Sequence, residues 1–137
     1  MQIRKCFTLI EVLVVILIVA ILASVAVPIV RGKVNDAKWS EAKAAAGTIR
    51  TAVATYAVVK SVALVGELVG NLAEKSRREL LGFQEGDLTG SYFVPGDYNI
   101  DAVNERGNAS ITITASTPKG PPVGESKTLM FDGTWDQ

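Results

Sequence analysis

The stretch Cys6 to Pro28 reads CFTLIEVLVVILIVAILASVAVP, nearly pure apolar sequence with one carboxylate, Glu11, close to its start and a short basic leader, MQIRK, before it. Between Val12 and Val30 lie 19 residues without a charge. At about 1.5 Å per residue they make a helix of about 28 Å, close to the hydrocarbon thickness of a bilayer. The segment is long enough to span a membrane. An ionised side chain in such a segment costs roughly 2.5–3.5 kcal/mol on insertion scales, so Glu11 calls for a partner or a function.

A conventional cleaved signal peptide has a shorter apolar region followed by a small-residue cleavage site. Here the apolar run is too long for that, and the small residues Ala23-Ser24-Val25-Ala26 fall inside it. Charge does not fix the orientation, because Arg4 and Lys5 on one side face Arg31, Lys33 and Lys38 on the other.

The basic leader, the pentapeptide Phe-Thr-Leu-Ile-Glu at Phe7 to Glu11, the long apolar run and Pro28 together resemble the precursors of type IV pilins and type II secretion pseudopilins. The resemblance covers roughly the first 60 residues well and the remainder only in general plan. It implies that residues 1–6 are a leader, cut off by a membrane peptidase between Cys6 and Phe7, and that the new amino group of Phe7 is methylated. The glutamate and the proline then fall where the family has them. The family usually has glycine immediately before the cut, whereas this chain has Cys6, which is also small. The resemblance alone places the leader in the cytoplasm.

Without Met1 to Val30, 107 residues remain, enough for one modest domain supported by packing against a helix. The formal net charge is zero, and no basic run with interleaved aromatics appears, so no contact with nucleic acid is expected. Charge is nevertheless uneven: Arg31 to Arg78 holds nine Lys/Arg and four Asp/Glu, Glu79 to Gln137 three and nine. Opposed surfaces on neighbouring subunits are the sharper reading, ordinary solvated faces the plainer one. Cys6 is the only cysteine, so the processed chain forms no disulfide.

Beyond Pro28 the apolar spacing continues: Trp39, Ala42, Ala46, Ile49, Val53 and Tyr56 recur at intervals of three and four, the signature of one helix face. One helix from about Phe7 to Val59 is expected, membrane-spanning over 7–30 and amphipathic over 31–60. Pro28 lacks an N–H and crowds the carbonyl of Ser24, so a kink or local unwinding is expected there. Residues 61–137 then form the head. Ser61 to Leu81 reads as a loop with one or two short helices, Ser76 and Glu79 having the spacing of a capping box. Gly66 and Gly70 make a G-x-x-x-G, but Glu67 and Asn71 make a poor membrane span. Alternation over Tyr98 to Ala102 and Ser110 to Ala115 around a turn at Asn104 to Asn108 predicts a hairpin, with a third strand at Thr128 to Phe131. The fold class is therefore α+β: a long amino-terminal helix against an antiparallel sheet of three or four strands.

Catalytic signals are absent. With no histidine, Ser-His and Cys-His chemistry and histidine metal sites are excluded. Gly120 to Lys127 has the wrong glycine spacing, and two prolines without N–H, for a phosphate loop. Asp132 and Asp136 flank a Gly-Thr-Trp turn and are weak calcium candidates, lacking the further carboxylates of a complete loop; turn-forming Asp is the preferred reading. Asn108-Ala-Ser110 matches a glycosylation acceptor at a turn where Asn is expected anyway. No cofactor is called for, and nothing supports an enzyme.

Glu11 has two readings. A carboxylate near a helix start can reach the membrane surface. The resemblance implies instead that it pairs with the free α-amino group of Phe7 in an adjoining subunit, with Phe7, Glu11 and Pro28 the assembly residues. The expected function is a structural subunit of a type IV pilus-like filament. It would be inserted in the bacterial inner membrane as a single-pass precursor and then drawn into a periplasmic or extracellular homo-oligomer. The implied partners are the prepilin peptidase, other pilins or pseudopilins, and an assembly platform with its cytoplasmic ATPase. The alternative is a single-span membrane-anchored binding domain that does not polymerise.

Overall fold

A computed structural model describes residues 7–136. The leader, Cys6 with it, lies outside the described residues. Two compact units divide between Asp36 and Ala37, inside the first helix.

Helix α1 runs over Leu9–Lys60. In the first unit every described residue from Phe7 to Val34 is exposed, including the whole apolar run. By length and composition α1 can cross a membrane. The unwinding expected at Pro28 does not occur, and the helix is unbroken through it. Proline forfeits one hydrogen bond here without ending the element. The one hydroxyl in this stretch after Thr8, on Ser24, donates to the carbonyl of Ile21 at 2.7 Å.

In the second unit α1 buries Trp39, Ala42, Ala46, Ile49, Val53 and Ala57. The last position differs from the expected stripe: Ala57 takes the buried place and Tyr56 is half-buried at its edge. At 3.6 residues per turn both positions lie near the seam, and the small side chain fits beneath the β2–β3 turn, where a Cβ on Gly107 would come within 2.8 Å of the Ala57 methyl.

The sheet facing this stripe is an antiparallel meander in sequential order, β1 (Gly70–Asn71), β2 (Tyr98–Val103), β3 (Ala109–Thr114), β4 (Ser126–Leu129) and β5 (Trp135–Asp136). Register aligns Gly70, Ile100, Ile111, Leu129 and Trp135 in one row across all five strands. Tyr98, Ile100, Ile111, Ile113 and Leu129 are buried and close the core with the helix stripe. Trp39, Phe93 and Tyr98 stack in series, with ring centroids 5.2 and 6.4 Å apart. On the outer face Asp101, beside a register shift in β2, accepts from Asn99 and Thr112, and Thr112 meets Thr128.

The three expected strands form the middle of the sheet; the two edge strands are only two residues each, too short for an alternating pattern. Between α1 and β1 lies a 3-10 turn, Val62–Leu68, whose Ser61 cap accepts from the Ala63 amide. Helix α2 covers Lys75–Leu80. Its cap is Glu74, not Ser76 as the capping-box spacing predicts: Ser76 sits in the first turn and its hydroxyl donates to Glu74. Arg77 and Arg78 then donate to the carbonyls of Asn71, Leu72 and Ala73, holding the segment before α2 against it.

Candidate functional site

The start of α1 is built from local chemistry. Phe7 and Thr8 precede the helix, and the Thr8 hydroxyl accepts from the Glu11 amide at 3.3 Å. The Thr8 carbonyl accepts from the amides of Glu11 at 3.1 Å and Val12 at 3.4 Å. Thr8 is therefore the cap, and Glu11 stands in the first turn, where a carboxylate is favoured by the positive end of the helix dipole. Sequence reasoning weighed Glu11 as an acid that reaches the membrane surface or pairs with Phe7 of an adjoining subunit, and not as part of a helix cap. The Thr8-x-x-Glu11 spacing, half of a capping box, was the signal that placed it on a helix start.

Phe7 is 73% exposed, and Glu11 is exposed with no ion pair among the described residues. Pro28 lies exposed within the apolar helix. The structure thus brings Phe7, Thr8 and Glu11 to one helix end and sets Pro28 apart, about 26 Å further along at 17 residues from Glu11. Chemically this is an apolar cylinder with one carboxylate at its capped end.

The basic side chains of the second unit are largely engaged within their own chain. The Lys38 ammonium donates to the carbonyl of Gly120 at 2.9 Å and lies over the Tyr92 ring. Lys43 stands over Trp135, and Arg50 donates to the carbonyl of Phe131. These contacts turn much of the helix's positive charge onto the same chain's carboxy-terminal half, so Arg50 in particular is not a free surface cation.

Asp132 and Asp136, the weak calcium candidates, have different surroundings. Asp132 accepts from the Thr134 amide at 2.9 Å and the Thr134 hydroxyl at 2.7 Å, closing the turn between β4 and β5. The Thr134 hydroxyl first, then its amide, holds the Asp132 carboxyl below its ordinary range. Asp136 lies in β5 opposite Thr128. No cluster of three or more acidic, cysteine or histidine ligands occurs among the described residues. The residue that makes the β2–β3 turn is Asn104, whose side chain accepts from the amides of Arg106 and Asn108.

A feature missed at the sequence level is Glu41. Its carboxylate accepts from the amides of Ser91 at 3.0 Å, Tyr92 at 2.9 Å and Phe93 at 3.2 Å. This one acid on α1 fastens the loop that leads into the sheet. Gly90 permits it, since a Cβ there would overlap the Glu41 carboxylate. Fifty residues of separation leave no local trace of such a contact.

No match to the chain is found among curated proteins or among solved structures. The family model described as the prokaryotic N-terminal methylation motif does match, over residues 4–27. With its capped helix start, first-turn glutamate and uncovered apolar surface, this amino-terminal segment carries the hallmark of type IV pilin and pseudopilin precursors.

Proposed function

We propose that the chain is the precursor of a structural subunit that polymerises into a type IV pilus-like filament. The observation that carries this reading is the joining of the methylation motif to a helix exposed on every side from Phe7 to Val34. Motif and helix fit a membrane-anchored precursor and indicate a structural protein.

In this reading a peptidase cuts between Cys6 and Phe7, and the freed amino group of Phe7 is methylated. The subunit then leaves the inner membrane for the periplasm or the cell exterior, exchanging lipid for the apolar helices of other subunits, so hydrophobic burial is retained. The carboxylate of Glu11 meets the amino group of Phe7 in the adjoining subunit. In low dielectric such a pair is strongly attractive and a lone charge heavily penalised, which selects the correct stagger. A retained leader would stand between the two charges. Other pilins or pseudopilins, the peptidase and a platform driven by a cytoplasmic ATPase complete the machine.

Intact mass of the protein recovered from sheared filaments tests this. The expected species begins at a methylated Phe7 and lacks residues 1–6. Filaments built of uncut chain would overturn the mechanism. Processed chain found only as single subunits in the membrane would leave the anchored, non-polymerising domain in its place.

A further inference from the structure

An apolar groove and an apolar knob lie at opposite ends of the second unit. The groove, about 620 Å³, opens between the last turns of α1 and the end of α2. Thr51, Thr55, Tyr56, Val59 and Leu80 line it. Its threonine hydroxyls are already committed: Thr51 donates to the carbonyl of Gly47 and Thr55 to that of Thr51, each at 2.9 Å. Lys60 and Glu79, both exposed, stand at its edge, Glu79 lying 3.7 Å from the Lys75 ammonium in an exposed pair.

The knob is the exposed pair Pro122-Val123 on the loop between β3 and β4. Val123 is 67% exposed, yet the loop that carries it is held firmly. Gly124 donates to the carbonyl of Ala115 and Glu125 to that of Pro122. Thr117 donates to the carbonyl of Tyr92, and Lys38 to that of Gly120. Two consecutive prolines fix their own φ angles. A knob already held in shape loses little conformational freedom on docking. Lys119 precedes this pair in the chain and Glu125 follows it, both exposed.

The loop is fastened to α1 at Lys38, whereas the groove centres near Thr55. Seventeen residues of helix separate them by about 25 Å along the axis, so the knob does not fill its own groove. We propose that the Pro122-Val123 knob of one chain seats in the α1–α2 groove of a second copy, with Lys119 facing Glu79 and Glu125 facing Lys60. Opposite charges on either side of an apolar contact fix its orientation. Because knob and groove are different surfaces, the contact is heterologous and a joined pair keeps one knob and one groove unused, so it can extend from chain to chain. This deepens the filament reading and rests on it for its setting.

The test uses the whole protein in its membrane, in a Cys6→Gly background that leaves no native thiol and puts before the cut the residue the family usually has there. The double variant Val123→Cys with Thr55→Cys is oxidised, both sites being exposed. A ladder of dimers, trimers and higher species is expected, with neither single variant passing the dimer. Lys60→Glu or Glu125→Lys should each weaken the ladder by about two- to fivefold, as suits an exposed pair, and the two together should restore it. Absence of the ladder, or charge effects that simply add, would overturn the contact. Reading the ladder in membranes and in sheared filaments separates the two ideas. Filaments without a ladder sink the contact alone, whereas a ladder in membranes that yield no filament upholds it and sinks the filament reading.

Discussion

Arg50 on α1 donates to the main-chain carbonyl of Phe131, 81 residues away, and lies under Gly133, where a Cβ would come within 2.7 Å of its Nη1. Gly133 has φ +91°, so the turn both needs glycine for its conformation and leaves room for the guanidinium. The end of the sheet is thereby fastened to the middle of the helix.

Arg50→Ala should loosen this turn without unfolding the unit. The lost bond is charge-assisted but exposed, so a cost of about 1 kcal/mol is expected. Hydrogen exchange should quicken at Met130 and Gly133, whose amides close the turn, and stay unchanged in β2 and β3. Equal protection in variant and parent would show the contact to be incidental.

Glu41→Ala leaves three main-chain amides without their acceptor, and a loss of about 1–3 kcal/mol is expected. Gly90→Ala should cost a comparable amount by displacing the same carboxylate. Since both break one contact, the double variant should be little worse than either single, as denaturant unfolding would measure. Additive losses would place their effects in separate interactions.

Burial, assisted by the nearby carboxylates of Glu41 and Asp97, pushes the Tyr98 hydroxyl well above its ordinary value of 10.0. The raised value means that the fold favours the neutral phenol. Its contribution is whole below about pH 10 and is lost as pH climbs beyond that. Tyr98→Phe should therefore flatten the alkaline limb of a melting-temperature profile between roughly pH 9 and 12. Parallel limbs would exclude Tyr98 as the titrating group.

Glu11→Ala should leave the protein membrane-inserted and the second unit folded, because the sheet core begins at Trp39. Removing a carboxylate from an apolar segment makes insertion no harder. Filament yield, by contrast, should fall severely. Normal yield from the variant would reduce Glu11 to a first-turn acid that complements its own helix dipole.

How much of this was legible in the sequence depended on range. The stripe from Trp39 to Val53 and the hairpin of β2 and β3 were readable because periodicity is local and each element is long enough to display it. The edge strands at Gly70 and Trp135 were not, since two residues carry no period and their pairing is set by neighbours far along the chain. The misplaced cap at Ser76 shows local spacing losing to tertiary anchoring: Arg77 and Arg78 reach back to three carbonyls and hold the helix start at Lys75. At the amino terminus Glu11 stood out as a lone charge, Pro28 as a helix proline and Phe7 only through the resemblance to pilin precursors, while Thr8 passed unnoticed because capping needs a boundary as well as a residue. The parts played by Glu41 and Arg50 depend wholly on the assembled fold.

Ser24 gives the apolar helix an unusual indifference to its surroundings. Its hydroxyl proton is already spent on Ile21, one turn back, so the side chain asks nothing of whatever lies beside it. An acyl chain, another helix or a passing void satisfies it equally, and no donor is stranded when one replaces another. A polar group that brings its own acceptor can thus be carried from one apolar medium to the next without any hydrogen bond being broken on the way.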